Sequence, residues 1–398
     1  MDAETAPRFA IGAALAAALL AASLPASAAA QGADGTKAPD GRRPIAELGV
    51  PADASGEELY RAACAHCHGA DGAGAPKDRV GFETPLPDFT DCFFATREPD
   101  ADWLAVAHAG GPVRGFAPMM PAFDGLLTVD QLQRTMDHIR SFCGDQWPRG
   151  ELNFPRAMFT EKAYPEDEVV FTTGVSAEGR GAVSGELIWE NRFGARNMIE
   201  VVIPFGWRER LREGAAPGET DWTGGIGDIA FGVKRDFFHS LESGTIVSLT
   251  GEVVLPTGDE DDGFGTGTTI FEPFVSVGQR LPAGGFLHAQ AGAGIPADAD
   301  RATEEGFWRM ALGKSFQQGM WGRVWSPMVE LLGSRELTAG EPTHWDLVPQ
   351  LHVTLNTRQH VMANVAVRLP LDDADVRDTE VLVFVLWDWF DGGPFAGW

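Results

Sequence analysis

The sequence predicts a multidomain α + β chain: a small α-helical domain followed by an antiparallel β-barrel of about twelve strands. Three observations carry this. Helical periodicity and both capping boxes lie before about residue 145. From about Asp167 onward, period-2 alternation of apolar and polar residues takes over. The connections between those alternating segments are short and long by turns.

Composition narrows the function classes. The chain has 398 residues and a formal net charge of -26, from 57 acidic and 31 basic side chains. Such a surface disfavours nucleic acid and anionic membrane faces as partners. High Gly (48), Phe (25) and Trp (12) suit many strands and turns. No hydrolytic triad is visible, so conventional enzymology is not expected.

Residues 1–30 read as a secretory signal: an apolar run from Phe9 to about Ala22, then small-x-small cleavage options at Ala26–Ala28 or Ala28–Ala30. The run is short for a membrane span. Residues 31–54 form a small, polar, Pro/Gly-rich lead-in.

The helical domain, residues 55–145, opens with a Ser55/Glu58 capping box on a helix that runs into Cys64-Ala65-His66-Cys67-His68. Two cysteines three apart with a following histidine match the attachment signature of a c-type haem. Residues i and i+3 share one helical face, so both thiols reach one porphyrin edge. The imidazole of His68 is then carried under the ring as an axial ligand. A zinc site would need a second ligand pair at matching spacing, and a thioredoxin-like motif a surrounding βαβ pattern; neither is visible. His66 reads as a solvent-facing spacer. A second capping box, Thr128/Gln131, starts a closing helix with Leu132, Met136, Ile139 and Cys143 on one face.

Tyr60, the Cys64–Gly69 opening, the Met120-Pro121-Ala122-Phe123 loop and the closing helix together resemble a class I cytochrome c. In that family a Met just before Pro is the distal ligand. The resemblance implies Met120 in that role, with Met119 the alternative, and one covalent haem c. His/Met ligation favours reduced iron and raises the potential. Cys92 and Cys143 are the only other cysteines, and in an oxidising compartment two spare thiols are expected to pair.

Residues 146–166 read as an inter-domain linker with aromatics of its own. Residues 167–398 then carry the strands, centred near Phe171, Leu187, Val201, Ala230, Leu249, Phe274, Ala289, Ala311, Val329, Leu351, Val365 and Phe384. In His360–Leu371, Val361, Ala363, Val365, Val367 and Leu369 fall on one face and Met362, Asn364, Ala366 and Arg368 on the other. The polar faces bear Glu200, Lys234, Glu252, Glu272, Arg309, Glu330, Asp346 and Arg368. A soluble sandwich also alternates, but segments of about ten residues with short turns at one end and long loops at the other describe an outer-membrane barrel. Pro273, Pro327 and Pro349 sit inside strand-like runs, where a closed sheet tolerates them only at bulges or segment ends.

Gly227–Lys234 with Leu255-Pro256-Thr257-Gly258 resembles outer-membrane channel-like proteins associated with phenol and aromatic degradation. The whole chain resembles fused cytochrome c–porins. The resemblance implies a Gram-negative outer membrane, a periplasmic haem domain and an electron-transfer role. The partners it implies are membrane lipid, periplasmic electron carriers and a small-molecule or metal-ion redox partner. The alternative is a solute channel with the cytochrome as a docking or sensing module. Acid runs at Asp259–Asp262, Asp298/Asp300 and Asp372/Asp373/Asp375 read as solvated loop surface, or as attraction for divalent cations.

Overall fold

The computed structural model describes residues 49–178, 181–211, 220–373 and 376–398. The signal assigned to residues 1–30, most of the lead-in (31–48) and Asp375 lie outside them.

Among the described residues six α-helices precede the sheet: α1 (Gly56–Ala63), α2 (Ala65–His68), α3 (Lys77–Val80), α4 (Cys92–Ala95), α5 (Asp100–Ala109) and α6 (Val129–Arg140). Both capping boxes form as the sequence requires, with Ser55 and Glu58 capping the N-terminus of α1 and Thr128 and Gln131 that of α6. Leu59, Tyr60, Leu132, Met136 and Ile139 are buried where α1 crosses α6, giving this domain its own core. A disulfide joins Cys92 to Cys143, with Cα atoms 5.7 Å apart, and ties α4 to the end of α6.

The sheet is a closed antiparallel barrel of twelve strands: β1 (Glu168–Ser176), β2 (Ala182–Phe193), β3 (Asn197–Leu211), β4 (Thr220–Ile226 and Ile229–Ser240), β5 (Thr245–Leu255), β6 (Ile270–Arg280), β7 (Gly285–Pro296), β8 (Glu305–Lys314 and Phe316–Gln317), β9 (Val324–Glu336), β10 (His344–Thr354), β11 (Val361–Pro370) and β12 (Glu380–Asp388). Strand β12 pairs with β1 from Glu168↔Asp388 to Ser176↔Glu380, which closes the ring and leaves no free edge. Each of the twelve expected centres falls in a different strand.

The three prolines sit where a ladder is interrupted. The β6–β7 register skips Glu272 and Pro273, and the β10–β11 register skips Val348 and Pro349. Pro327 lies beside the break in β8 at Ser315. Each missing N–H falls at a gap in the pairing rather than in a continuous ladder.

Alternation divides the side chains. Asn364 and Ala366 are fully buried while Val365, between them, is exposed. Phe171, Leu187, Phe231, Leu249, Leu312 and Val385 are exposed on the outer wall, as a lipid-facing belt requires. Among the described residues no helix is long and apolar enough to cross a membrane; the strands supply the crossing, since a closed barrel satisfies every backbone group within itself.

The segment expected to be a linker does something else. Residues 150–167 enter the barrel: Arg156 pairs with Glu168 and Glu190, Glu161 with Lys234, and Glu330 accepts from the backbone of Met158, Phe159 and Thr160. A lumen lined by paired charges attracts a chain that can complete those pairs.

The acidic loop Asp259–Asp262 is not free charge. Arg210 pairs with Asp262 at 2.5 Å and Arg301 with Glu260 at 2.7 Å, and Asp259 accepts from the Asp262 amide.

Candidate functional site

The cysteine–histidine turn is built by the end of α1. The Cys64 amide donates to Tyr60 O at 2.8 Å, and the chain rewinds at once, with His68 N donating to Cys64 O at 2.9 Å. One short helix, α2, thus follows Cys64 and carries Cys67 and His68. It stops at Gly69, whose φ of 77° is left-handed and whose added Cβ would lie 2.7 Å from Asp71 Oδ1. The Tyr60 hydroxyl fixes that exit by donating to Gly69 O at 2.7 Å. The Tyr60 ring itself packs edge-on against Phe142, just beyond α6.

Cys64 and Cys67 are free thiols and half-buried, and His66 is exposed. His68 is 8 % exposed, and its ring stacks on Phe89 with centroids 4.8 Å apart. Burial pushes its imidazole down to about 4, so it is uncharged at neutral pH. Its Nδ1 is buried without a hydrogen-bond partner.

Met120 is half-buried and packs on the cluster containing Leu59, Tyr60, Phe89 and Met136, whereas Met119 is 46 % exposed. The loop between α5 and α6 is held by Gly110 and Gly111. The Gly111 amide donates to Met120 O at 3.0 Å, and Phe116 N returns to Gly111 O at 3.0 Å. A Cβ at Gly111 would lie 2.4 Å from Ala117 O. His68, through Phe89, and Met120 therefore border one apolar cluster. Two free thiols on one turn, a neutral buried imidazole with an orphaned nitrogen and a thioether beside the same cluster fit a covalently held haem.

Sequence reasoning missed how this domain is held. It sits on the short-turn end of the barrel. Arg97 pairs with Asp167 just before β1, with side chains 10 % and 0 % exposed, and its guanidinium lies 4.5 Å from the Phe390 ring centre. Arg114 donates to Trp321 O at 2.6 Å in the β8–β9 turn and pairs with Asp102 at 2.7 Å. Arg358, in the β10–β11 turn, stacks on Phe116. His239 meets Asp145 O at 2.8 Å, and Tyr164 donates to Thr96 O at 3.2 Å. The only sequence signal was the density of charge around 156–168, unusual for a tether.

This interface is acid-rich. Burial pushes the Asp391 carboxyl up to about 7, helped by Asp102 and opposed by Arg358. Burial likewise raises Glu98 and Asp102. A carboxyl whose value is raised in the docked form contributes stability below its unfolded value of 3.8, and that contribution is lost as pH rises toward about 7. Limited proteolysis between the two units should therefore be several-fold faster at pH 8 than at pH 5, and Asp391→Asn should flatten the difference. Equal rates at both pH values in the unaltered protein would rule this out.

Comparison with known families agrees with both halves. A family model described as cytochrome C oxidase, cbb3-type, subunit III matches residues 51–139. One described as putative MetA-pathway of phenol degradation matches residues 172–323. The chain is a cytochrome c domain joined to an outer-membrane barrel. No curated protein matches it. Among solved structures, an outer membrane channel from Pseudomonas putida F1 shares 11% identity at a TM-score of 0.40, covering 59% of this chain and 99% of that one. The KdgM porin in complex with disordered oligogalacturonate shares 7% at 0.35, covering 55% and 98%. The NanC porin shares 7% at 0.38, again covering 55% and 98%.

Proposed function

We propose that the cytochrome–barrel chain is an electron-transfer protein carrying one covalent haem c at the short-turn mouth of its barrel. The observation that supports this most is the Cys64–Cys67–His68 turn and Met120 bordering one apolar cluster, in a domain clamped to the barrel by the buried Arg97–Asp167 pair. Cys64 and Cys67 would hold the haem covalently, and His68 and Met120 would hold its iron. When bound, the haem supplies reversible one-electron exchange. The chain supplies the setting. The neutral His68 is ready to ligate without first losing a proton, and the thioether of Met120 favours the reduced iron. Leu59, Phe89 and Met136 keep water off the pocket.

Both barrel termini and the short turns lie on the cytochrome side, and short turns face the periplasm in such barrels. The cytochrome then lies in the periplasm, open to soluble electron carriers, and the long loops lie outside. A small-molecule or metal-ion donor or acceptor would reach the barrel from that outer end. A solute channel for aromatic or other small molecules, with the cytochrome as an appended sensor, is the second reading, favoured by the family match at residues 172–323.

Intact cells treated with a membrane-impermeant reductant separate the two. Electron transfer across the barrel predicts that the haem spectrum changes without permeabilisation. A change seen only after the outer membrane is opened would remove the transmembrane step.

A further inference from the structure

We propose that residues 150–167 seal the short-turn half of the barrel, so that its lumen passes no solute. This goes beyond the electron-transfer reading and does not depend on the haem.

The segment makes two passes through the short-turn half. The rising arm begins at the rim, where Phe154 stacks on Phe286 of β7 at 5.9 Å and covers Gly278 of β6. His288 of β7 bonds Pro155 O at 3.0 Å. The tip, Met158 to Glu161, stops at mid-height. Its anchors are Glu330 in β9, Gln290 in β7 and Arg309 in β8, each near the middle of its strand, and Lys234, near the middle of the Ile229–Ser240 part of β4. The descending arm returns past Ser248 of β5, which donates to Ala163 O, and leaves at Asp167. Lys162 links the arms by donating to Asn153 Oδ1 at 3.2 Å, and it also pairs with Glu166 and Glu168. Around the ring the segment touches strands β1 to β9 and, through Phe159 beneath Arg368, β11.

Size and chemistry agree. A barrel of about eight strands is filled by its own side chains and one of about sixteen leaves an aqueous channel. Twelve strands leave room for a doubled segment of extended chain. The space is dry as well as narrow: Ala157, Ala163 and Tyr164 are each 1 % exposed and pack on Ile246, Ala311 and Met328. The charges that enter are matched, since Arg156 and Lys162 meet carboxylates and Glu161 meets Lys234 of the wall. Breaking such a pair leaves an uncompensated buried charge, so the arrangement resists withdrawal.

The test is conductance of purified, heat-modifiable protein in planar bilayers. The unaltered protein should give no stable steps. Replacing residues 154–163 with a Gly–Ser bridge should open stable steps at least about tenfold above the unaltered trace. If that variant does not fold, Glu330→Ala frees the three amides at the tip and should produce flickering leak. Steps of the same size from unaltered and bridged protein would overturn the seal, as would stable steps from the unaltered protein alone. The Cys64→Ala/Cys67→Ala protein should be as tight as the unaltered one. A conducting haem-free variant beside a tight haem-loaded protein would place the seal in the cytochrome instead.

Discussion

Replacing Cys64 and Cys67 together with Ala should remove all haem staining from the denatured polypeptide. Thioether bonds survive denaturation, whereas ligation by His68 and Met120 does not, so only the two thiols can carry haem through a denaturing gel. Each single replacement should leave weaker staining through the surviving bond. His68→Ala should keep the stain but change the spectrum, because attachment and ligation use different atoms. None of these changes touches the barrel: Cys64 and Cys67 are half-buried in α2 and its start, while the barrel is met by Arg97, Arg114 and the segment from Asp145 onward. Heat-modifiable migration should therefore persist in the double variant, which separates loss of haem from loss of fold. Full staining in a folded Cys64→Ala/Cys67→Ala protein would sink the attachment reading.

The barrel was legible because its signal is local. A strand with one face to lipid and one to the lumen must alternate, and Asn364, Val365 and Ala366 do so at adjacent positions. Counting the alternating segments set the number of crossings, and the loop rhythm set the end at which the cytochrome sits. The prolines looked like exceptions because sequence shows which N–H is missing but not which partner would have been opposite. The turn at Cys64 was legible because its chemistry depends on residues one helical turn apart. The plug was not. Residues 150–167 have no periodicity, since each side chain answers to a different strand: Arg156 to Glu190, Glu161 to Lys234, the tip amides to Glu330. Those partners are 34 to 172 positions away. Likewise the acidic run Asp259–Asp262 looked like an unpaired field because Arg210 arrives from the end of β3 and Arg301 from the β7–β8 loop. Electrostatic guidance of a cation toward the mouth is weaker than the bare sequence suggests, because those charges are already half-matched.

Met120→Ala should abolish the weak near-infrared sulfur-to-iron charge-transfer band of the oxidised protein and lower its potential. Two adjacent methionines offer the same thioether, and sequence alone cannot choose. The fold separates them. Met120 rests on the cluster with Leu59, Phe89 and Met136, beside the His68–Phe89 stack, while Met119 is turned outward. Removing a neutral thioether that stabilises the reduced iron leaves water or a harder donor in its place, which favours the oxidised form. Met119→Ala should leave both band and potential unchanged. The loop itself supplies a third, graded variant. At Gly111 a methyl group would lie 2.4 Å from Ala117 O and 3.3 Å from Met120 Cβ, so Gly111→Ala must displace the segment that carries the sulfur. It should weaken the band while leaving covalent haem intact, an outcome that a methionine acting only as core filler would not produce. If Met119→Ala alone removes the band, the ligand lies one residue earlier and the loop turns over when haem is bound. If neither variant changes it, the sixth position belongs to another side chain and the resemblance to class I cytochromes fails at that point.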